Sequence, residues 1–180
     1  GQACYDAATA WRTGAGIDKP DRAQAENLYR AGCAFNHAGA CMAAADMYLK
    51  LEAGMQLLMP RGTVSLDMGE AAGFLRAACE LGHLPACGLW GDLLVDPRSL
   101  LPSPEAVARG LQTDLLLARQ AYADGCNEGS FEASLPVPDE GLIDADLRSC
   151  ARLSDLYARG LGVRKDRRRH SYFLSRACNI

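Results

Sequence analysis

The sequence predicts an all-α fold, an α/α superhelical solenoid of about four antiparallel helix pairs stapled by disulfides. Three observations predict it. Eight cysteines stand at 4, 33, 41, 79, 87, 126, 150 and 178. Two stretches, GCAFNHAGAC at 32–41 and ACELGHLPAC at 78–87, each hold two cysteines eight positions apart with a histidine midway. Helix-period patterns recur on both sides of these joints, as expected of an array in which each pair covers its neighbour's apolar face.

Alignment on Cys4, Cys41, Cys87 and Cys150 defines the first helix of each pair, helix A. Four positions later stand Ala8, Ala45, Gly91 and Ser154, all small; seven later stand Trp11, Tyr48, Leu94 and Tyr157, all large. Positions 0, 3, 4 and 7 share one helical stripe, so the small residue admits a neighbouring helix and the large one fills the space beside it. Alignment on Cys33, Cys79, Cys126 and Cys178 defines helix B. Twelve positions earlier stand Asp21, Asp67, Asp114 and Asp166. Asp is a favoured N-cap because its carboxylate accepts from an orphan amide of the first turn, and Asp67 with Glu70 also fits a capping box.

Two A-to-B turns share G-x-G-[IV]-x-K, at 14–19 and 160–165, with the first Gly suited to the left-handed position past a helix end. The other two A-to-B connections, 51–66 and 95–113, carry insertions; Ser103-Pro104-Glu105 reads as the start of a short helix in the second. The third B-to-A joint is expanded to 127–149, with a Pro-rich loop at Ser134 to Asp139. The order is A-B-A-B-A-B-A-B, in one solenoid 1–180 with approximate repeats 1–37, 38–83, 84–140 and 141–180, and the chain reads as a segment of a longer array.

A length of 180 residues suits one domain with a substantial core. The net charge of −3 leaves no footprint for nucleic acid, and the triplet Arg167–Arg169 reads as a solvated helix face. No apolar run reaches the ~18 residues of a spanning helix, and no signal peptide is visible. A regular, even set of cysteines points to disulfides in an oxidising compartment, hence a secreted or periplasmic protein. Zinc is disfavoured, because each C-x3-H-x3-C unit offers three ligands where structural zinc takes four. No metal and no cofactor is expected. His37 and His83 occupy the same joint position and read as turn residues. G-x-S-x-G, H-E-x-x-H and Gly-rich phosphate loops are absent from the sequence.

These residues resemble the Sel1-like repeat family, relatives of the tetratricopeptide repeats. Cys150-Ala-Arg-Leu-Ser-Asp-Leu-Tyr157, Gly160 to Asp166 and Tyr172 to Cys178 follow the family's A helix, turn and B helix, and residues 74–83 follow the B helix and its exit. The C-x7-C joint is similar to the cysteine-rich, Hcp-type branch, secreted bacterial proteins with one disulfide per repeat. The resemblance covers nearly the whole chain; the two A-to-B insertions and 127–149 depart from it. It implies pairs Cys33–Cys41, Cys79–Cys87 and Cys126–Cys150, leaving Cys4 and Cys178 unpaired in this segment. Geometry agrees, since a short turn makes the two helices antiparallel and can bring the paired Cα atoms to ~5.5 Å.

The resemblance also implies that helix A lines a concave groove. Its non-core stripe carries Asp46, Asp92 and Asp155 in register, beside Lys50, Arg152 and Arg159. This partly acidic ladder is the candidate surface for a protein or peptide partner. The Met55–Met59 insert, MQLLM, reads first as an extended helix A packed in the core and second as an adaptable apolar contact. The expectation is a non-catalytic protein–protein interaction scaffold, with neighbouring repeats as further partners and no nucleic acid. One alternative is a penicillin-binding or β-lactamase-like hydrolase of the Hcp type, against which the chain lacks S-x-x-K. Another is an intracellular or mitochondrial intermembrane-space adaptor or assembly factor.

Overall fold

The computed structural model describes residues 1–55, 68–95, 115–127 and 145–178, with the side chains of 50–55 and 68 outside that description. The described residues form eight helices: α1 (Gln2–Thr13), α2 (Arg22–Ala34), α3 (Ala38–Met55), α4 (Met68–Glu80), α5 (Leu84–Leu94), α6 (Leu115–Cys126), α7 (Leu147–Arg159) and α8 (Arg167–Cys178). Odd-numbered helices are the A helices and even-numbered ones the B helices. The expected caps Asp67 and Asp114, the Ser103 helix start, Gln56–Met59 of the MQLLM stretch and most of the three inserts lie outside the described residues.

The chain divides into two compact units, Gly1–His83 and Leu84–Ile180. In the first, α1, α2, α3 and α4 pack consecutively, and α1 also touches α3. In the second, α5, α6, α7 and α8 do the same, and α5 touches α7. A helices therefore meet A helices within each unit, as helix-pair repeats require.

Two closures repeat. At the A-to-B turn, Gly14 (φ 79°) and Gly160 (φ 75°) take the left-handed conformation at the ends of α1 and α7. Their amides bond back to Ala10 and Leu156 at 2.8 Å. The amide of the capping Asp then ties the next helix to the large residue of helix A: Asp21 N to Trp11 O at 2.9 Å, Asp166 N to Tyr157 O at 3.1 Å. Asp21 Oδ1 accepts from Gln24 N at 3.1 Å, and Asp166 Oδ1 accepts from the Arg168 and Arg169 amides.

At the B-to-A joint, Asn36 (φ 57°) and Gly82 (φ 86°) reverse the chain three residues after Cys33 and Cys79. The next residue's amide bonds back across the turn: His37 N to Gly32 O at 3.1 Å, His83 N to Ala78 O at 2.9 Å. The expanded third joint ends the same way, with Asp146 N on Gly125 O at 2.8 Å. His37 and Asp146, each four before an A-helix cysteine, also cap the helix that follows. Ala40 N donates to His37 Nδ1 at 3.0 Å, and Ser149 N donates to Asp146 Oδ2 at 3.0 Å. His37 is thus a turn residue with a defined capping task, and its Nε2 meets Gln2 Oε1 at 2.8 Å.

The joints bring backbones close. Cys33 and Cys41 are disulfide-bonded (S–S 2.04 Å, Cα–Cα 4.5 Å), as are Cys126 and Cys150 (2.09 Å, 4.7 Å). Cys79 and Cys87 are disulfide-bonded too. Cys4 and Cys178 are free. The residues preceding paired cysteines face each other, so a Cβ on Gly32 would lie 2.8 Å from Ala40 Cβ, and one on Gly125 would meet Ser149. Small residues are required there by contact.

In the first unit the core gathers Ala8, Ala25, Tyr29, Ala40, Ala44 and Met47, with Trp11, Leu28 and Phe74 packed against it. In the second, Tyr122, Leu153, Leu156 and Phe173 are fully buried. Gly91 explains its own size, since a Cβ would come 2.5 Å from the Tyr122 ring.

Candidate interaction surfaces

The predicted ladder residues do different work in the two units. In the first, Asp46 faces Arg12 of the neighbouring A helix at 3.9 Å. Lys50 lies in α3, but its side chain is outside the described residues. In the second, Asp92 Oδ1 accepts from the buried Tyr122 hydroxyl at 2.9 Å and from Arg152 Nε at 3.3 Å, and Arg148 approaches at 4.0 Å. Asp92 and Arg152 are therefore spent largely on each other and on the core. Asp155 and Arg159 are exposed on α7.

The position of Asp92 has a second occupant that clarifies it. Thr9, at the same place in α1, hydrogen-bonds the Tyr29 hydroxyl at 3.0 Å. Tyr29 and Tyr122 both stand four before a B-helix cysteine, where the other two repeats have Leu75 and Leu174. A polar residue five after the A-helix cysteine thus serves a buried tyrosine where there is one.

The large A-helix residue anchors a second arrangement. In the first unit Tyr48 stacks on Phe74 at 5.9 Å, donates to Glu26 Oε1 at 2.6 Å and accepts from Arg30 Nη1 at 2.7 Å. Burial, and then the Glu26 hydrogen bond, push the Tyr48 phenol above its usual range. Arg30 also pairs with Glu70 at 3.3 Å and Glu26 at 3.7 Å. In the second unit Tyr157 stacks on Phe173 at 5.7 Å. Its hydroxyl accepts from Arg169 Nη1 at 2.7 Å and Arg119 Nη2 at 3.3 Å. These groups line a cleft of about 710 Å³ between the start of α6, the end of α7 and residues 162–169. Arg167 and Arg168 are exposed, as expected of a solvated face, but Arg169 turns inward and lies over the Tyr157 ring at 5.3 Å.

One serine–histidine contact has the outline of a nucleophile and base. Ser154 Oγ lies 2.8 Å from His170 Nδ1. Ser154 is buried at 1% exposure, and its hydroxyl also meets the His170 carbonyl at 3.0 Å. The pair fastens α7 to α8 and offers no substrate an approach. In the first joint, the Cys33 and Cys41 sulfurs are bonded to each other and the His37 ring is engaged by Ala40 and Gln2.

No family model matches the chain, and no curated protein matches it in sequence. Solved structures do share its fold. A Sel1 repeat protein from Oxalobacter formigenes superposes with a TM-score of 0.65 at 23% identity, over 99% of this chain and 58% of its own. A protective antigen of uropathogenic Escherichia coli with an SLR fold gives a TM-score of 0.49 at 20% identity, over 99% of this chain and 38% of its own. The chain thus spans little more than half of the first and less of the second. The Oxalobacter likeness establishes the fold, that of a Sel1 repeat protein.

Proposed function

We propose that the chain is a non-catalytic protein-interaction module of a secreted or periplasmic repeat protein. The observation that carries this reading is a helix-pair scaffold whose joints are closed by disulfides. Within each unit such a scaffold holds the faces of its A helices in place, and disulfides persist in oxidising compartments. The proposed partner is a protein or peptide segment that meets A-helix residues, Asp46 and Lys50 in the first unit or Asp92, Arg152, Asp155 and Arg159 in the second, together with the inserts 51–66, 95–113 and 127–149. Asp155 and Arg159 make the first contact, because they are exposed while Asp92 and Arg152 are held inside the face.

Site-directed photo-crosslinking in the periplasm of a bacterial host tests this. A probe at 155 should give one discrete adduct, absent with the probe at exposed Arg76 on α4 and lost when Arg159→Glu is combined with it. Equal adducts from every site would contradict the proposal. Hydrolysis of nitrocefin, or labelling by a fluorescent penicillin, would move the assignment to the hydrolase alternative. Reduced cysteines in the native cell would favour the intracellular adaptor.

A further inference from the structure

We infer that the edge formed by Arg164, Lys165, Arg167 and Arg168 docks on an anionic phospholipid bilayer. This goes beyond the A-helix proposal and rests on different residues. All four side chains are exposed. Among the described residues, none of the four is in an ion pair. The carboxylate between them, Asp166, caps α8 through the Arg168 and Arg169 amides and lies 3.9 Å from Arg169 Nε.

The repeat supplies an internal comparison. Asp18 and Lys19 follow the first G-x-G-[IV] turn as Arg164 and Lys165 follow the second. Arg22 and Ala23 follow their capping Asp as Arg167 and Arg168 follow theirs. Both turns close with the same left-handed glycine and the same Asp cap. Closure therefore does not require the extra charge: residues 18–23 hold two cations and two carboxylates, residues 164–168 four cations and one carboxylate. The edge also stays open when further helices follow it. Asp18, Lys19, Arg22 and Ala23 are exposed although α3 and α4 pack onto α2.

The arrangement suits a plane of headgroups better than a protein partner. Four like charges within five residues repel one another, and an anionic surface within a Debye length of about 8 Å relieves that repulsion. Lys165 lays its stem over Gly160, where an added Cβ would lie 2.7 Å from Lys165 Cγ, and remains exposed. Long stems leaving one turn can each reach a separate phosphate, whereas a defined acidic peptide calls for guanidinium forks held in place.

The test is co-sedimentation of the oxidised chain with vesicles of phosphatidylcholine and phosphatidylglycerol in equal parts, against vesicles of phosphatidylcholine alone. The chain should pellet with the mixed vesicles only and be released on raising salt. Lys165→Gln should weaken partitioning roughly fivefold, and Arg164→Gln/Arg168→Gln roughly 25-fold. Lys19→Gln makes the same change of charge at the corresponding place in the first unit and should leave binding as it is. All of these replace exposed side chains, and the single variants keep the inference testable if the double one fails to fold. Equal pelleting with both vesicles, no pelleting with either, or equal effects of Lys165→Gln and Lys19→Gln would overturn the inference. Saturable binding of a fluorescein-labelled EELEE peptide that is lost in Arg164→Gln/Arg168→Gln would reassign the edge to an acidic protein and overturn the lipid assignment.

Discussion

The Tyr122 hydroxyl donates to Asp92 Oδ1 at 2.9 Å, and Thr9 makes the corresponding contact with Tyr29 in the other unit at 3.0 Å. A buried phenol needs a partner, and the repeat supplies one from the same place on helix A. Burial, and then the Asp92 carboxylate, push the Tyr122 phenol well above its ordinary range. A raised acid keeps its neutral form in the folded chain, so its contribution is complete below the unfolded value of about 10 and is lost as pH rises above it. Urea titrations between neutral and strongly alkaline pH should show stability falling above about pH 10. Tyr122→Phe should cost about 1 kcal/mol at neutral pH and flatten that alkaline fall.

His37 and Asp146 perform the same cap with different chemistry. His37→Asp should therefore keep near-wild-type stability, while His37→Ala should lose about 1 kcal/mol. Thermal or urea unfolding of the two variants side by side checks this; equal loss in both would show that the ring acts through its Gln2 and Tyr5 contacts instead.

Gly32→Val should destabilise by about 1–3 kcal/mol, because even its Cβ would lie 2.8 Å from Ala40 Cβ. The readout is the urea midpoint of the oxidised protein. No change would mean that α2 and α3 are not held as closely as the joint requires.

Removal of the wider-spaced bridge should cost more than removal of a short one, because the closed loop is longer. Cys126→Ser/Cys150→Ser opens a separation of 24 residues and should lose about 3 kcal/mol in the chain-entropy model. Cys33→Ser/Cys41→Ser opens a separation of 8 and should lose roughly 2–3 kcal/mol. The reverse order would show that strain or denatured-state structure governs the joints.

The helices were legible because their cause is local. Asp21 and Asp166 cap where the sequence places them, and Gly14 and Gly160 end helices as their turns require. The third joint was harder to read, because the 24-residue spacing hides that Asp146 stands where His37 does. The ladder was read as one surface because register shows which side chains share a helix face. It does not show what they touch across a joint: Asp92 faces Tyr122 and Arg152, and Asp46 faces Arg12. The arginine cleft was missed for a related reason. Arg119 and Arg169 are 50 positions apart in sequence, and only the fold brings both onto Tyr157.

The most direct test of the stapled repeat is intact mass after alkylation without reductant, compared with alkylation after reduction. The account predicts six protected cysteines and two alkylated ones, mapped to Cys4 and Cys178. Alkylation of all eight without reductant, in fresh protein from an oxidising host, would contradict it.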